Sequence, residues 1–183
     1  IEIYTIRDKS ANAIIESIRN EGLTMAEENV PEIQKWQQLK SITVFEHPRM
    51  TLVEDDVQLP TGKVIKYLRQ VYNGNGGVII ICIKDGSLLL QQEYSYPVNE
   101  VLYQFPGGRI EEGETYEEAA QRELAEESNL AMKNTVYLGW FYPDNRRTNA
   151  KLHVVFGDDV VTDDSKVADD EEFIRTAWLS VDE

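Results

Sequence analysis

Basic residues are scarce in this sequence: 18 Lys and Arg stand against 33 Asp and Glu, and the formal net charge is −15. A surface so acidic repels a phosphodiester backbone, which argues against plain nucleic-acid binding. Cysteine is nearly absent. The lone Cys82 excludes an internal disulfide, and its place inside the apolar run Val78 to Ile83 marks it as a small buried hydrophobe. That run is the longest apolar stretch, and it is far too short to span a bilayer. Ile1 to Lys9 mixes charged and apolar residues and lacks the apolar core of a signal peptide. These absences lead to the expectation of a cytoplasmic protein that meets neither membrane nor nucleic acid. Histidine is scarce too. His47 and His153 lack the Cys or carboxylate spacing of a zinc site, and both read as structural.

What remains is enough for a folded core. A chain of 183 residues with 42% hydrophobic content suits one domain, or one domain with an extension. A domain of this size buries roughly 70% of its unfolded surface and needs no disulfide or metal staple. Ile14, Ile15 and Ile18 fall at helical spacing, and Gly22 ends the pattern. A second short helix is expected to begin at Pro31, with Ile33, Trp36 and Leu39 along one side. From Ser41 the character changes to β-rich runs: Ile42 to Phe45, Thr51 to Val57 and Val64 to Val71. Pro60-Thr61-Gly62 makes a hairpin of the last two. Val78 to Ile83 reads as a strand buried on both faces, and Lys84-Asp85-Gly86 turns into a strand over Ser87 to Tyr94. Val136 to Phe141, His153 to Asp158 and Ile174 to Leu179 complete the expected strands. Ser180 to Glu183 resembles a capped helix start, so a C-terminal helix is expected beyond them.

The acids are unevenly spread. Eight lie between Glu111 and Glu127 and eight more between Asp158 and Glu172. Thr115 and Glu118 have the spacing of a capping box, so a helix should start there and run to about Ser128. Glu123, Glu126 and Glu127 then share one face of it. Like charges at such spacings cost a helix roughly 0.2–0.5 kcal/mol per pair. A divalent cation removes that cost, and carboxylate oxygens without His or Cys suit magnesium or manganese rather than zinc. Three glutamates alone read more readily as an exposed acidic face. Their surroundings decide between the two readings.

Gly108 is followed after five residues by Glu114, and after seven more by Arg122-Glu123-Leu124-Ala125-Glu126-Glu127-Ser128-Asn129-Leu130. This resembles the Nudix box, departing from it at Asn129, where the family has Gly. The family's Gly ends the helix in a left-handed conformation, and Asn is the next best residue for that. The resemblance implies an α/β fold, an α/β/α sandwich around a mixed sheet, preceded by an antiparallel β segment and short helices. It implies that Glu123, Glu126 and Glu127, with the backbone of Gly107, hold catalytic Mg2+ (or Mn2+). Glu114 would support them, and Arg122 would orient a metal-binding glutamate. The carboxylate that takes a proton from the attacking water is either a box glutamate, Glu127, or a residue of the later acidic loop. There Asp170, Glu171 and Glu172 are candidates, with Glu172 preferred.

Beyond the box, Trp36 to Ser41, Leu59 to Gly62, Gln92 to Pro97, Pro143 and Asn149 to His153 are similar to the ADP-ribose and nucleoside-diphosphate-sugar pyrophosphatase branch. That branch pairs through its N-terminal sheet, which implies a homodimer acting on a small nucleotide. Two departures stand out. Ser95 replaces a frequent Arg, and Gln104-Phe105-Pro106-Gly107-Gly108 replaces Glu-any-Pro-Ala-Gly. Arg109, Arg146 and Arg147 are candidates to supply the positive charge for the diphosphate, and Tyr96 to stack on the base. The expected organisation is a helical extension over 1–40, dimerising strands over 41–73 and the catalytic domain over 74–183. Alternatives are a Nudix hydrolase of another nucleoside diphosphate or triphosphate, and a Nudix domain that senses a nucleotide without cleaving it.

Overall fold

The computed structural model describes residues 32–163 and 174–180. The chain divides into two compact units, Ile1–Trp36 and Gln37–Glu183, and every described strand and helix belongs to the second. The expected helix around Ile14 lies outside the described residues, as does a helix after Ser180.

A three-stranded antiparallel sheet comes first: β1 (Gln37–His47), β2 (Met50–Gln58) and β3 (Val64–Val71), in that order. Its turns are those the sequence marks. Leu59-Pro60-Thr61-Gly62 closes with Gly62 N–H donating to Leu59 O at 2.8 Å. Alternation sets the buried side of the central strand, where Val53, Asp55 and Val57 point inward. Buried Asp55 accepts from Arg69 Nε at 2.6 Å and from Gln38 Nε2 at 3.0 Å. Burial pushes its carboxyl up, but bonds from Arg69, Ser41 and Gln38 outweigh that and hold it below the usual carboxylate range.

The helix expected from Pro31 does not appear in the described residues. Residues 32–36 carry no regular structure, and Leu39 lies within β1. Ile33, the first residue of the apolar stripe, is 91% exposed and contributes no burial to a helix. A short helix is marginal on its own, whereas Gln37 and Gln38 gain a ladder opposite Gln58 and Val57.

The second sheet is mixed. Its strands are β4 (Gly77–Lys84), β5 (Ser87–Ser95), β6 (Glu100–Gln104), β7 (Leu130–Phe141), β8 (Leu152–Thr162) and β9 (Arg175–Ser180). The order is β6-β5-β4-β8-β7, with β9 also pairing with β5. β4 and β8 run parallel and the other neighbours antiparallel. Asp85 and Gly86 both take positive φ, as the two-residue turn between β4 and β5 requires.

That hairpin pairs only at Ile83–Leu88 and Lys84–Ser87, then splays. The edge of β4 so released is taken up by the loop before the helix. Val78 N–H donates to Gly108 O at 2.8 Å and Ile80 N–H to Pro106 O at 2.9 Å. The splay therefore places the glycine loop beside the core strand.

Helix α1 (Tyr116–Ser128) packs on the sheet through Ala119, Ala120, Leu124 and Ala125. Its buried face joins a core of Val78, Ile80, Cys82, Leu89, Met132, Val155 and Val160. The β4 strand is buried on one face only. Val78, Ile80 and Cys82 are inside, while Ile79, Ile81 and Ile83 are half-buried. Burial pushes the Cys82 thiol up to about 11, consistent with a packing role.

Candidate active site

Helix α1 presents its acids where the sequence places them. Thr115 caps it: its hydroxyl accepts from Glu118 N–H at 3.2 Å, while Glu118 Oε2 accepts from Thr115 N–H at 2.8 Å. Asn129 ends it in the left-handed region with φ 54, so Asn takes the part of the family's Gly.

Arg122 is the hub. Its fork donates to both oxygens of Glu114, Nε to Oε1 at 2.7 Å and Nη2 to Oε2 at 3.0 Å. Its Nη1 reaches Glu123 Oε1 at 2.9 Å and Glu126 Oε2 at 3.1 Å, and Nη2 also donates to Arg109 O at 2.8 Å. Glu114 chiefly, against the opposing effect of burial, raises the guanidinium pKa above its ordinary value, and Glu123 and Glu126 add to it. One loop carbonyl and three carboxylates are thus tied to one cation.

Glu127 is held from the other side. Its Oε2 accepts from Gln91 Nε2 at 2.9 Å and from Gly107 N–H at 3.1 Å. Gln91, on β5, is fully buried, and its Oε1 has no hydrogen-bond partner among the described residues. An amide so placed is a costly residue to bury unless its partner matters. Sequence reasoning missed it. The available signal was a Gln two positions after Leu89, on the buried parity of the strand.

The two glycines have separate reasons. Gly107 has φ +151, and a Cβ there would stand 2.1 Å from Val78 O. At Gly108 a Cβ would stand 2.4 Å from the Glu123 carboxylate. The loop can lie this close to strand and carboxylate only without side chains.

Three carboxylates therefore share one guanidinium, with Glu127 as a fourth acid close by on the same helix, and the excess negative charge suits a divalent cation. Among the described residues no three acids or histidines already converge as a ligand shell. Arg122 holds Glu123 and Glu126 on one side, while Gln91 and Gly107 hold Glu127 on the other.

The remaining candidates are more scattered. Arg109 follows the glycine loop and is exposed. Arg146 and Arg147 dock the β7–β8 connection onto β3 through their carbonyls, which accept from Tyr67 Oη and from Gln70 N–H. The Arg147 side chain is 82% exposed, and Tyr96 sits at the β5–β6 turn, 83% exposed. Glu172 lies outside the described residues. His153 is structural: it stacks on Tyr116 at 4.1 Å, and its Nδ1 lies 2.9 Å from Tyr137 Oη.

Comparison with known proteins places this constellation. Residues 74–183 match the NUDIX domain. The chain belongs to the NUDIX domain family. It is similar to an ADP-ribose pyrophosphatase from Bacillus subtilis (strain 168), 25% identical over 142 residues, covering 76% of each chain. It is also similar to a methanol dehydrogenase activator from Bacillus methanolicus, 25% identical over 147 residues, covering 79% of this chain and 78% of the other. Among solved structures, an ADP compounds hydrolase superposes with TM-score 0.74 at 24% identity, covering 84% of this chain and 82% of that one. That likeness shows the fold: an N-terminal antiparallel sheet before a mixed-sheet Nudix domain. With its box glutamates in place, this NUDIX chain is a pyrophosphohydrolase.

Proposed function

We propose that this Nudix enzyme hydrolyses the pyrophosphate bond of ADP-ribose or a related nucleoside diphosphate sugar, releasing a nucleoside monophosphate and a sugar phosphate. The observation that carries the reading is the Arg122 hub. It gathers Glu114, Glu123 and Glu126 beside a glycine loop whose amide holds Glu127. The donor set fits Mg2+, or Mn2+ in its place: Glu123, Glu126, Glu127 and the Gly107 carbonyl would hold it. Bound there, the metal supplies charge neutralisation for the diphosphate and an acidified water.

The chain's own residues do the rest. Arg122 keeps two carboxylates pointed along one face, and Gln91 with Gly107 N–H fixes the orientation of Glu127. The proton from the attacking water goes to a carboxylate, Glu127 in the box or Glu172 in the later acidic stretch of sequence. Arg109, Arg146, Arg147 and Tyr96 are the proposed substrate contacts. Phosphoryl transfer depends mostly on such positioning and charge stabilisation.

The three-stranded sheet, with the strands over 41–73, is the proposed pairing surface of a homodimer, joined to the catalytic domain over 74–183. Leu39, Ile42, Val44 and Phe45 of β1 are all exposed, an apolar surface that a second copy would cover. Light scattering that returned a monomer would remove the dimer.

Product analysis with ADP-ribose and Mg2+, beside a panel of other nucleoside diphosphates, tests the function. Metal-dependent release of AMP from ADP-ribose, faster than from the others, is the expected outcome. Turnover of a different diphosphate alone would replace the substrate. No turnover of any would leave a nucleotide-sensing domain.

A further inference from the structure

Two adjoining cavities open beside the glycine loop. The larger, about 570 Å³, runs past Gly107, Gly108, Gln104 and Lys151. The smaller, about 210 Å³, lies at the β1–β2 turn and is walled by His47, Arg49 and Asn73. Tyr72 and Arg109 line both, so the two compartments meet at one aromatic ring and one guanidinium.

The charged side chains in these two walls are basic. The chain carries 33 acids and 18 Lys and Arg, yet among the described residues neither cavity has an Asp or Glu in its wall. Lys66, Arg69, Arg122, Lys133 and Arg147 have carboxylate partners, while Lys40, Lys63, Lys84, Arg146 and Arg175 form no ion pair among the described residues. Among the described residues neither Arg49 nor Arg109 forms an ion pair. Lys151 lies over the Trp140 ring, 4.1 Å from its centroid, and not on an acid. Two exposed guanidinium groups that line one cavity, with no acid in its described wall, offer a fork to an anion.

The wall between the compartments is rigidly held. Asn149 Oδ1 accepts from Tyr72 N–H at 2.8 Å, and Asn149 Nδ2 donates to Tyr72 O at 2.9 Å. The side chain thereby acts as a strand partner for Tyr72. Two positions earlier along the strand, Gln70 N–H donates to Arg147 O at 2.7 Å. The Tyr72 hydroxyl donates to Gly76 O at 3.2 Å. A ring pinned at its backbone and at its tip is prepared to stack a base without an ordering cost.

We propose that the smaller cavity is a subsite for a phosphoryl group on the distal nucleoside of the substrate. The preferred ligand is then a nucleoside diphosphate derivative that also carries phosphate on its nucleoside ribose. The diphosphate lies along the glycine loop, the base meets Tyr72, and the additional phosphoryl is gripped by Arg49 and Arg109, with His47 beside them. Guanidinium forks match phosphate oxygens in pairs. The net charge of −15 decides between a small molecule and a polymer: one phosphoryl group fits a local basic pocket, while an extended phosphodiester chain would meet the acidic surface around it. Such a subsite presupposes the pyrophosphatase activity proposed for the glycine loop and its glutamates.

The test compares ADP-ribose with its form phosphorylated on the adenosine ribose, using the full chain. Two readouts are taken: kcat/KM with Mg2+, and equilibrium binding by calorimetry without divalent metal. The wild type should favour the phosphorylated ligand on the order of tenfold in both. Arg49→Gln should bring that ratio close to one, and raising the salt should shrink it. A wild type that treats the two ligands alike, or a ratio that survives Arg49→Gln, overturns the subsite. A binding preference without turnover of either ligand keeps the subsite and sinks the hydrolase reading. Turnover without preference does the reverse.

Discussion

Gly108→Ala separates the fold from the chemistry. The added Cβ would stand 2.4 Å from Glu123 Cδ and Oε1 and 2.5 Å from Oε2. Optimal contacts between such atoms are about 3.5 Å, so the carboxylate must move by roughly 1 Å. It is the end of a flexible side chain, and turning it to an unfavourable rotamer costs about 0.5–1.5 kcal/mol. The move also breaks the 2.9 Å bond from Arg122, while Arg122 keeps both oxygens of Glu114 and one of Glu126. Loss of one charge-assisted bond among several adds about 1 kcal/mol. The total, about 2 kcal/mol, lowers the melting temperature of a chain this size by about 4–8 °C. Activity should fall much further, because an error of about 1 Å in a catalytic group costs on the order of 100-fold. Gly107→Ala is the control of opposite kind. Its Cβ would meet the backbone oxygen of Val78 at 2.1 Å with φ at +151, so neither side can yield cheaply, and the fold itself should suffer. Urea or thermal unfolding beside ADP-ribose turnover reads both. A Gly108→Ala variant with wild-type kcat/KM would refute the requirement that Glu123 occupy that space.

Glu126→Gln should remove most activity and leave the melting curve nearly unchanged; wild-type turnover in this variant would sink its assignment as a metal ligand. Gln91→Leu removes the buried amide, so that Glu127 Oε2 keeps the Gly107 amide but loses its side-chain donor. The Mg2+ concentration for half-maximal thermal stabilisation should rise on the order of tenfold, and an unchanged Mg2+ titration would reduce Gln91 to a packing residue. For pH, Asp55 is the group to follow. Its folded pKa lies below its unfolded value, so the stability it contributes is complete above about pH 4 and is lost as pH falls through the folded pKa. Asp55→Asn should therefore show a flatter loss of stability in acid, measured by urea unfolding from about pH 5 to about pH 2. A slope equal to that of the wild type would contradict the ion pair with Arg69.

The helix and its glutamates were legible in the sequence because their signals are local. Thr115 and Glu118 at capping-box spacing, Glu123, Glu126 and Glu127 on one helical face, and Asn129 at the stop all act within a few turns of chain. The strands from Thr51 to Phe141 that the sequence marks were legible for the same reason, through alternation and turn residues. Local signals failed at Trp36 to Leu39, where helical spacing lost to a ladder with the far end of β2. They also gave no sign of β6, whose residues are exposed and are held as a strand by pairing with β5.

The sequence by itself determined the kind of chemistry: a box of carboxylates at fixed spacing can be read without coordinates. Tertiary structure decided how those carboxylates are held. The splay of β4 from β5 opens the edge that accepts the glycine loop, and only then do Gly107 and Gln91, 16 positions apart, meet at Glu127. It also decided which arginines turn toward acids and which do not. Arg122 is committed to three glutamates, while Arg109 and Arg49, 60 positions apart, line one cavity. Helical periodicity reports neighbours three and four residues apart, and nothing in it encodes which distant strand will supply the next neighbour.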